Sequence, residues 1–126
     1  MGAEEKITEE MLAGPDYGAG MVKDPESGCT VLLWIKVHRD TYEKCDYMIL
    51  GETPKELVRC LQILKNVVKD RPVVYVKTMK REDILNPLSL STGTERYERS
   101  AAMAICALNE AFEDYLRKRF RRDSKI

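Results

Sequence analysis

Residues 18–37 read GAGMVKDPESGCTVLLWIKV, and the fold turns on how this stretch folds. Gly18 and Gly20 suit a backbone that turns or passes close to another chain segment. Pro25-Glu26-Ser27-Gly28 is a turn signal. Val31-Leu32-Leu33-Trp34-Ile35-Lys36-Val37 is rich in the β-branched and aromatic residues that fill strands. A tight turn feeding a buried strand is a common place for a small α+β domain to present a site. Gly18-x-Gly20 precedes strand rather than helix, the wrong context for a phosphate cradle.

Working outward, residues 42–50 fit a second strand. His38-Arg39-Asp40-Thr41 is a polar connection short enough for a hairpin, and places lone His38 at a solvated turn. After Gly51, Thr53 reads as a helix N-cap, Pro54 as the first helical residue and Glu56 as the partner in a capping box. Leu57, Cys60, Leu61, Leu64, Val67 and Val68 follow at helical spacing, so Cys60 is expected in the core. Arg71-Pro72 is the expected end of that helix. Local propensity alone would make residues 72–79, PVVYVKTM, a strand. A short helix fits residues 81–85, stopped by Asn86-Pro87. Thr92-Gly93-Thr94-Glu95 offers another capping box.

The closing helix carries the strongest pattern. Ala101, Ala104, Ile105, Leu108, Ala111, Phe112, Tyr115 and Leu116 form one face, whose small residues would let it lie close to a sheet. Cys106, between Ile105 and Ala107, is expected to be structural and buried. Glu113–Arg117 and Asp114–Lys118 are expected i,i+4 pairs. At the other end, residues 4–13 suit a short helix or a tail ended by Gly14-Pro15. Strands come first and helices after, which predicts an α+β fold: a small antiparallel sheet with helices packed on one face and a long C-terminal helix.

The 126 residues suit a single domain, 1–126, with 1–13 as the N-terminal helix or tail and 120–126 as a basic tail. Hydrophobic residues are 44% and charged residues 33%, the balance of a globular chain. Lys+Arg and Asp+Glu are both 21, so no net field favours nucleic acid or a membrane. No apolar run is long enough to span a bilayer and no signal-peptide pattern opens the sequence, so a cytoplasmic location is expected. The basic end LRKRFRRDSK, with Phe120 interleaved, is the one hint of nucleic acid or an acidic partner. The four cysteines, Cys29, Cys45, Cys60 and Cys106, show no zinc-ligand spacing and are expected to be free thiols. There is no P-loop or HExxH motif, and one histidine cannot complete a Ser/His/Asp set, so the chain is not expected to be an enzyme.

The spacing Gly18-x-Gly20-x-Val22-x-x-Pro25-x-Ser27-Gly28 resembles the opening of the iron–sulfur cluster assembly scaffold family, the IscU/NifU N-terminal type. Leu33-x-Ile35-Lys36-Val37, Tyr47 leading to Gly51, Asp83-Ile84 and Ala107-Leu108-x-x-Ala111-x-x-Asp114-Tyr115 continue it in order. The resemblance spans roughly residues 13–119. It implies about three strands, and a short helix rather than a strand from Pro72.

That family holds a nascent cluster on three cysteines and an aspartate, thiolates being soft anionic ligands for iron. By the resemblance, the cysteine positions are Ser27, Glu52 and Ser100 here. The aspartate position is Cys29, and the histidine position before the third cysteine is Arg99. Thr94-Glu95-Arg96-Tyr97 replaces a proline-rich lysine segment. Only Cys29 and Glu52 could ligate a metal, too few for a closed site. The resemblance therefore implies a scaffold-like protein that has lost cluster binding and has no resident cofactor. It would act through protein partners or a homo-oligomer, with weakly bound zinc or iron as the alternative. An interaction module unrelated to iron–sulfur work is the other option. Ser27, Cys29, Glu52, Arg99 and Ser100 are expected around one spot, with Glu52 paired to Arg99 and Cys29 the most accessible thiol.

Overall fold

The computed structural model describes residues 8–88 and 95–123. A five-residue helix α1 (Glu9–Ala13) opens the described chain, its N-terminus capped by Thr8 Oγ1, which accepts from Met11 N. Three strands follow: β1 (Tyr17–Lys23), β2 (Thr30–His38) and β3 (Thr41–Leu50). They form one antiparallel sheet in the order β1-β2-β3. Then come α2 (Lys55–Val68), a 3-10 turn at Val73–Thr78, α3 (Arg81–Leu85) and the 29-residue helix α4 (Glu95–Asp123). The expected α+β fold with three antiparallel strands and a long last helix is the observed one. The capping box expected at Thr92 lies outside the described residues.

Strand β2 shows why the sheet has two unlike faces. Val31, Leu33, Ile35 and Val37 alternate with less buried residues, since successive side chains point to opposite faces. The buried set meets Leu57, Leu61 and Leu64 of α2 and Ala104, Leu108 and Ala111 of α4 in one core. The other face presents Met21, Met48 and Leu50 to solvent. A bulge between Lys36 and Val37 leaves Glu43 as the extra residue of β3. Arg39 and Asp40, both at positive φ, close the hairpin as a two-residue turn.

Gly18 and Gly20 belong to β1 itself, not to a turn. A Cβ on Gly18 would lie 2.1 Å from the Ala111 carbonyl oxygen, and one on Gly20 2.3 Å from that of Ala107. The two glycines thus make a notch in which the backbone of α4 rests. The exposed edge of β1 is tied to the same helix. Asp114 Oδ2 accepts from Ala19 N at 2.9 Å, and Lys118 Nζ donates to the Tyr17 and Leu12 carbonyls. Asp114 takes both Lys118 and Arg117, so the expected Glu113–Arg117 pair gives way to Asp114–Arg117.

Helix α2 departs from expectation at both ends. It begins at Lys55, with Pro54 in extended conformation and no side-chain cap. Thr53 Oγ1 turns back to the Gly51 carbonyl, so the capping box does not form. The helix ends at Val68, before Arg71-Pro72, because Asp70 at φ 65° breaks it and the chain then pairs with the start of β3. Asp70 N donates to Tyr42 O, Tyr42 N to Arg71 O, and Pro72 bridges Thr41. Residues 73–78 are helical rather than extended, burying Val73 and Val76 three apart, the 3-10 spacing. Tyr42 anchors this turn through its hydroxyl, which donates to Val73 O at 2.6 Å.

Candidate functional site

The β1–β2 turn is built on Asp24. Its Oδ1 accepts from Glu26 N, its Oδ2 accepts from Ser27 Oγ at 2.7 Å, and its carbonyl accepts from Gly28 N. Side chains of Asp and Ser that bond their own backbone neighbours make such turns compact. Gly28 takes φ 75°, which L side chains resist. The result is a fixed carboxylate facing the first turns of α4.

Arg99 of α4 meets it. Arg99 Nη2 donates to Asp24 Oδ1 at 2.6 Å, and Nη1 donates to Glu26 Oε2. The Asp24 side chain is 12% exposed, whereas that of Glu26 is 74% exposed. The Ser27 hydroxyl, the Glu26 N–H and the Arg99 charge together hold the Asp24 carboxyl below its usual pKa, against burial that pulls the other way. Charge-assisted hydrogen bonds of this kind are the stronger ones, and the planar guanidinium fork suits two carboxylates at once.

Around this clamp lies a cavity of about 370 Å³, open between the β1–β2 turn and the starts of α2 and α4. Ser27, Glu52, Arg99 and Ser100 all line it, so four of the five expected site residues come together. Glu56 and Arg96 face each other across the same mouth at 3.9 Å.

Two expectations fail here. Arg99 does not pair with Glu52, because Asp24 and Glu26 hold its two terminal nitrogens, and Glu52 stays exposed. Cys29 does not reach the mouth. It is fully buried, continuing inward the alternation of Val31 and Leu33, and lies against Gly51. Cys29 and Glu52 therefore present no common ligand pair to solvent. Asp24 was the residue missed. Its signal was the Asp-x-x-Ser pattern at a turn, in which the first carboxylate caps the loop.

The other thiols divide by burial. Cys45 and Cys60 are buried, and burial pushes their pKa values up to about 12 and about 11. Cys106, expected in the core, is exposed beside Lys80, Arg81 and Asn109. Two residues from both Ala104 and Leu108, it lies about 200° around the helix from the buried face.

Compared with known proteins, the chain matches no protein-family model and no curated protein. The mouth offers hydroxyls, carboxylates and guanidinium groups, and none of its lining residues is a cysteine. Among the described residues, no group of three or more His, Cys, Asp or Glu side chains is placed to hold a metal ion. These residues do not fit an iron–sulfur cluster, which needs thiolate ligands and would meet the fixed positive charge of Arg99. Among the described residues, no helix is long and apolar enough to cross a membrane.

Proposed function

We propose that this chain is a non-catalytic, scaffold-like protein of iron–sulfur biology that works through protein contacts and holds no cluster of its own. The observation that carries the proposal is the meeting of Ser27, Glu52 and Ser100 at one mouth. They come from three separate segments, and they are the positions that the resemblance assigns to cluster thiolates. The Asp24–Arg99–Glu26 clamp occupies the entrance where a cluster would need anionic sulfur. Three such positions gathered at one mouth without thiolates leave a surface suited to protein contacts rather than to a metal.

The test is direct association with a cysteine desulfurase from the same organism, measured by calorimetric titration with purified proteins. Micromolar or tighter binding that weakens on Arg99→Glu supports the proposal. No binding, with the protein folded, removes it. A second reading, an interaction module or homodimer outside iron–sulfur work, is favoured by Met21, Met48 and Leu50 on the open sheet face. Absence of desulfurase binding together with a concentration-dependent dimer would select it.

A further inference from the structure

A second cavity, of about 420 Å³, lies between the Val73–Thr78 turn and the C-terminal half of α4. Phe112, Leu116 and Phe120 of α4 line it at steps of one helical turn, opposite Val73 and Val74. Burial fades along that stripe. Phe112 packs in the core, Leu116 is half-buried and Phe120 is 68% exposed. Val74 is 60% exposed across the groove. The core-facing stripe of α4 thus runs beyond the core that this chain supplies. Exposed apolar groups gathered at a concave site, unlike ones scattered singly, mark places where something binds.

Among the described residues, the charged side chains of the lining are Arg119 and Asp40, one of each sign. Arg119 Nη1 donates to Asp40 Oδ1 at 3.2 Å and to Tyr115 Oη at 2.8 Å. The ion pair is exposed on both sides, so it contributes little and can exchange partners. Arg117 and Lys118 are turned to Asp114, and Lys118 also to the Tyr17 carbonyl, and neither lines the groove. A lining without net charge neither tracks a phosphate backbone nor selects an acidic segment. Its rings are mostly taken as well. Phe112 and Tyr115 are buried, and Lys77 lies over the Phe112 ring at 5.3 Å, which leaves Phe120 as the lining ring open to stacking. Single-stranded nucleic acid uses successive aromatic platforms along a cationic track.

We propose that this groove docks a second copy of this chain about a two-fold axis. In such a contact the same patch faces itself, so it must complement itself. This patch carries an apolar slot beside an exposed ring, and one cation beside one anion. Phe120 of each copy enters the slot of the other, against Leu116 and Val74. Arg119 of each copy takes Asp40 of the other in place of its own, so each charge meets its opposite. A contact of this size gives a weak, reversible dimer. The groove borders the second half of α4, away from the mouth at Arg99 and from the open sheet face, and the proposal does not rest on the iron–sulfur reading.

The experiment is sedimentation equilibrium of the full chain over a wide range of concentration, with a monomer–dimer equilibrium expected. Phe120→Ser should raise the dissociation constant at least about tenfold, as loss of an anchor does at an interface. Val74→Ser, on the opposite wall, should raise it too. Arg119→Glu and Asp40→Lys should each be monomeric alone, because each sets like charges against one another across the axis. Mixed together, the two variants should form a heterodimer. Arg39, also at positive φ, shows that the turn accepts a long cationic side chain. Met48→Ser, on the open sheet face, should leave the dimer intact. Circular dichroism should show every variant folded, since each changes an exposed side chain. A chain that stays monomeric at all concentrations overturns the proposal, as does a dimer indifferent to Phe120→Ser or lost in Met48→Ser. So does failure of the two folded charge variants to pair, or a single-stranded oligonucleotide that binds the unsubstituted chain and is released by Phe120→Ser.

Discussion

Arg99 Nη2 and Asp24 Oδ1 stand 2.6 Å apart, joining the first turns of α4 to the turn between β1 and β2. The contact spans 75 positions of sequence, and everything at the mouth is arranged around it.

The first prediction concerns acid. The folded-state pKa of Asp24 is lowered from 3.8, so its contribution to stability is complete above that value and is lost as pH falls through the lowered one. In that window the unfolded chain binds more protons, and stability rises with pH. Carboxyl NMR titration should show that Ser27→Ala raises the Asp24 pKa more than Arg99→Gln does, because the hydroxyl makes the largest contribution. The reverse order would mean that the ion pair, not the turn, sets the carboxylate.

A second prediction concerns the thiols. Cys106 should react first with a thiol reagent in the native state, since access governs reactivity and Cys29, Cys45 and Cys60 are buried. Cys106→Ser should remove the fast phase. A fast phase that survives this substitution would show that one of the buried thiols is reached from solvent.

The glycine notch gives a third. Gly20→Ala sets a methyl 2.3 Å from a backbone oxygen that cannot step aside, and should cost about 3 kcal/mol or more in urea unfolding. Gly28→Ala meets no atom within 4 Å but must hold φ 75°, and should cost only about 1 kcal/mol. Equal costs would deny the close approach of α4 to β1.

Cluster chemistry supplies the fourth. Anaerobic reconstitution with iron and sulfide should leave the chain without a stable visible chromophore, because its mouth lacks thiolates. The triple variant Ser27→Cys, Glu52→Cys, Ser100→Cys should gain one, most clearly with Arg99→His added. A chelator-resistant cluster on the unsubstituted chain would refute the reading of the mouth.

The sheet and the two main helices were legible in the sequence, whereas the meeting of residues 27, 52, 99 and 100 was implied by the resemblance alone. Strands announced themselves by alternation and helices by the three-and-four spacing of apolar residues. Cys29 follows a turn, which suggests exposure, yet its step of two from Val31 puts it on the inward face. Cys106 was misplaced because its apolar neighbours hid the face on which it stands. The Asp24 clamp was missed for another reason. Periodicity reports which side chains face a core, whereas a turn's hydrogen bonds and the partner of a cation depend on tertiary placement.

The notch at Gly18 and Gly20 has a consequence beyond packing. Main chain rests on main chain there, so the middle of α4 is set against β1 by backbone, while Arg99 and Lys118 tie its two ends. Ser27, Glu52 and Arg99 sit outside the buried core, at the rim of a frame set by that notch and the core beneath it. Ligands can be grafted onto such a frame or stripped from it while the frame persists.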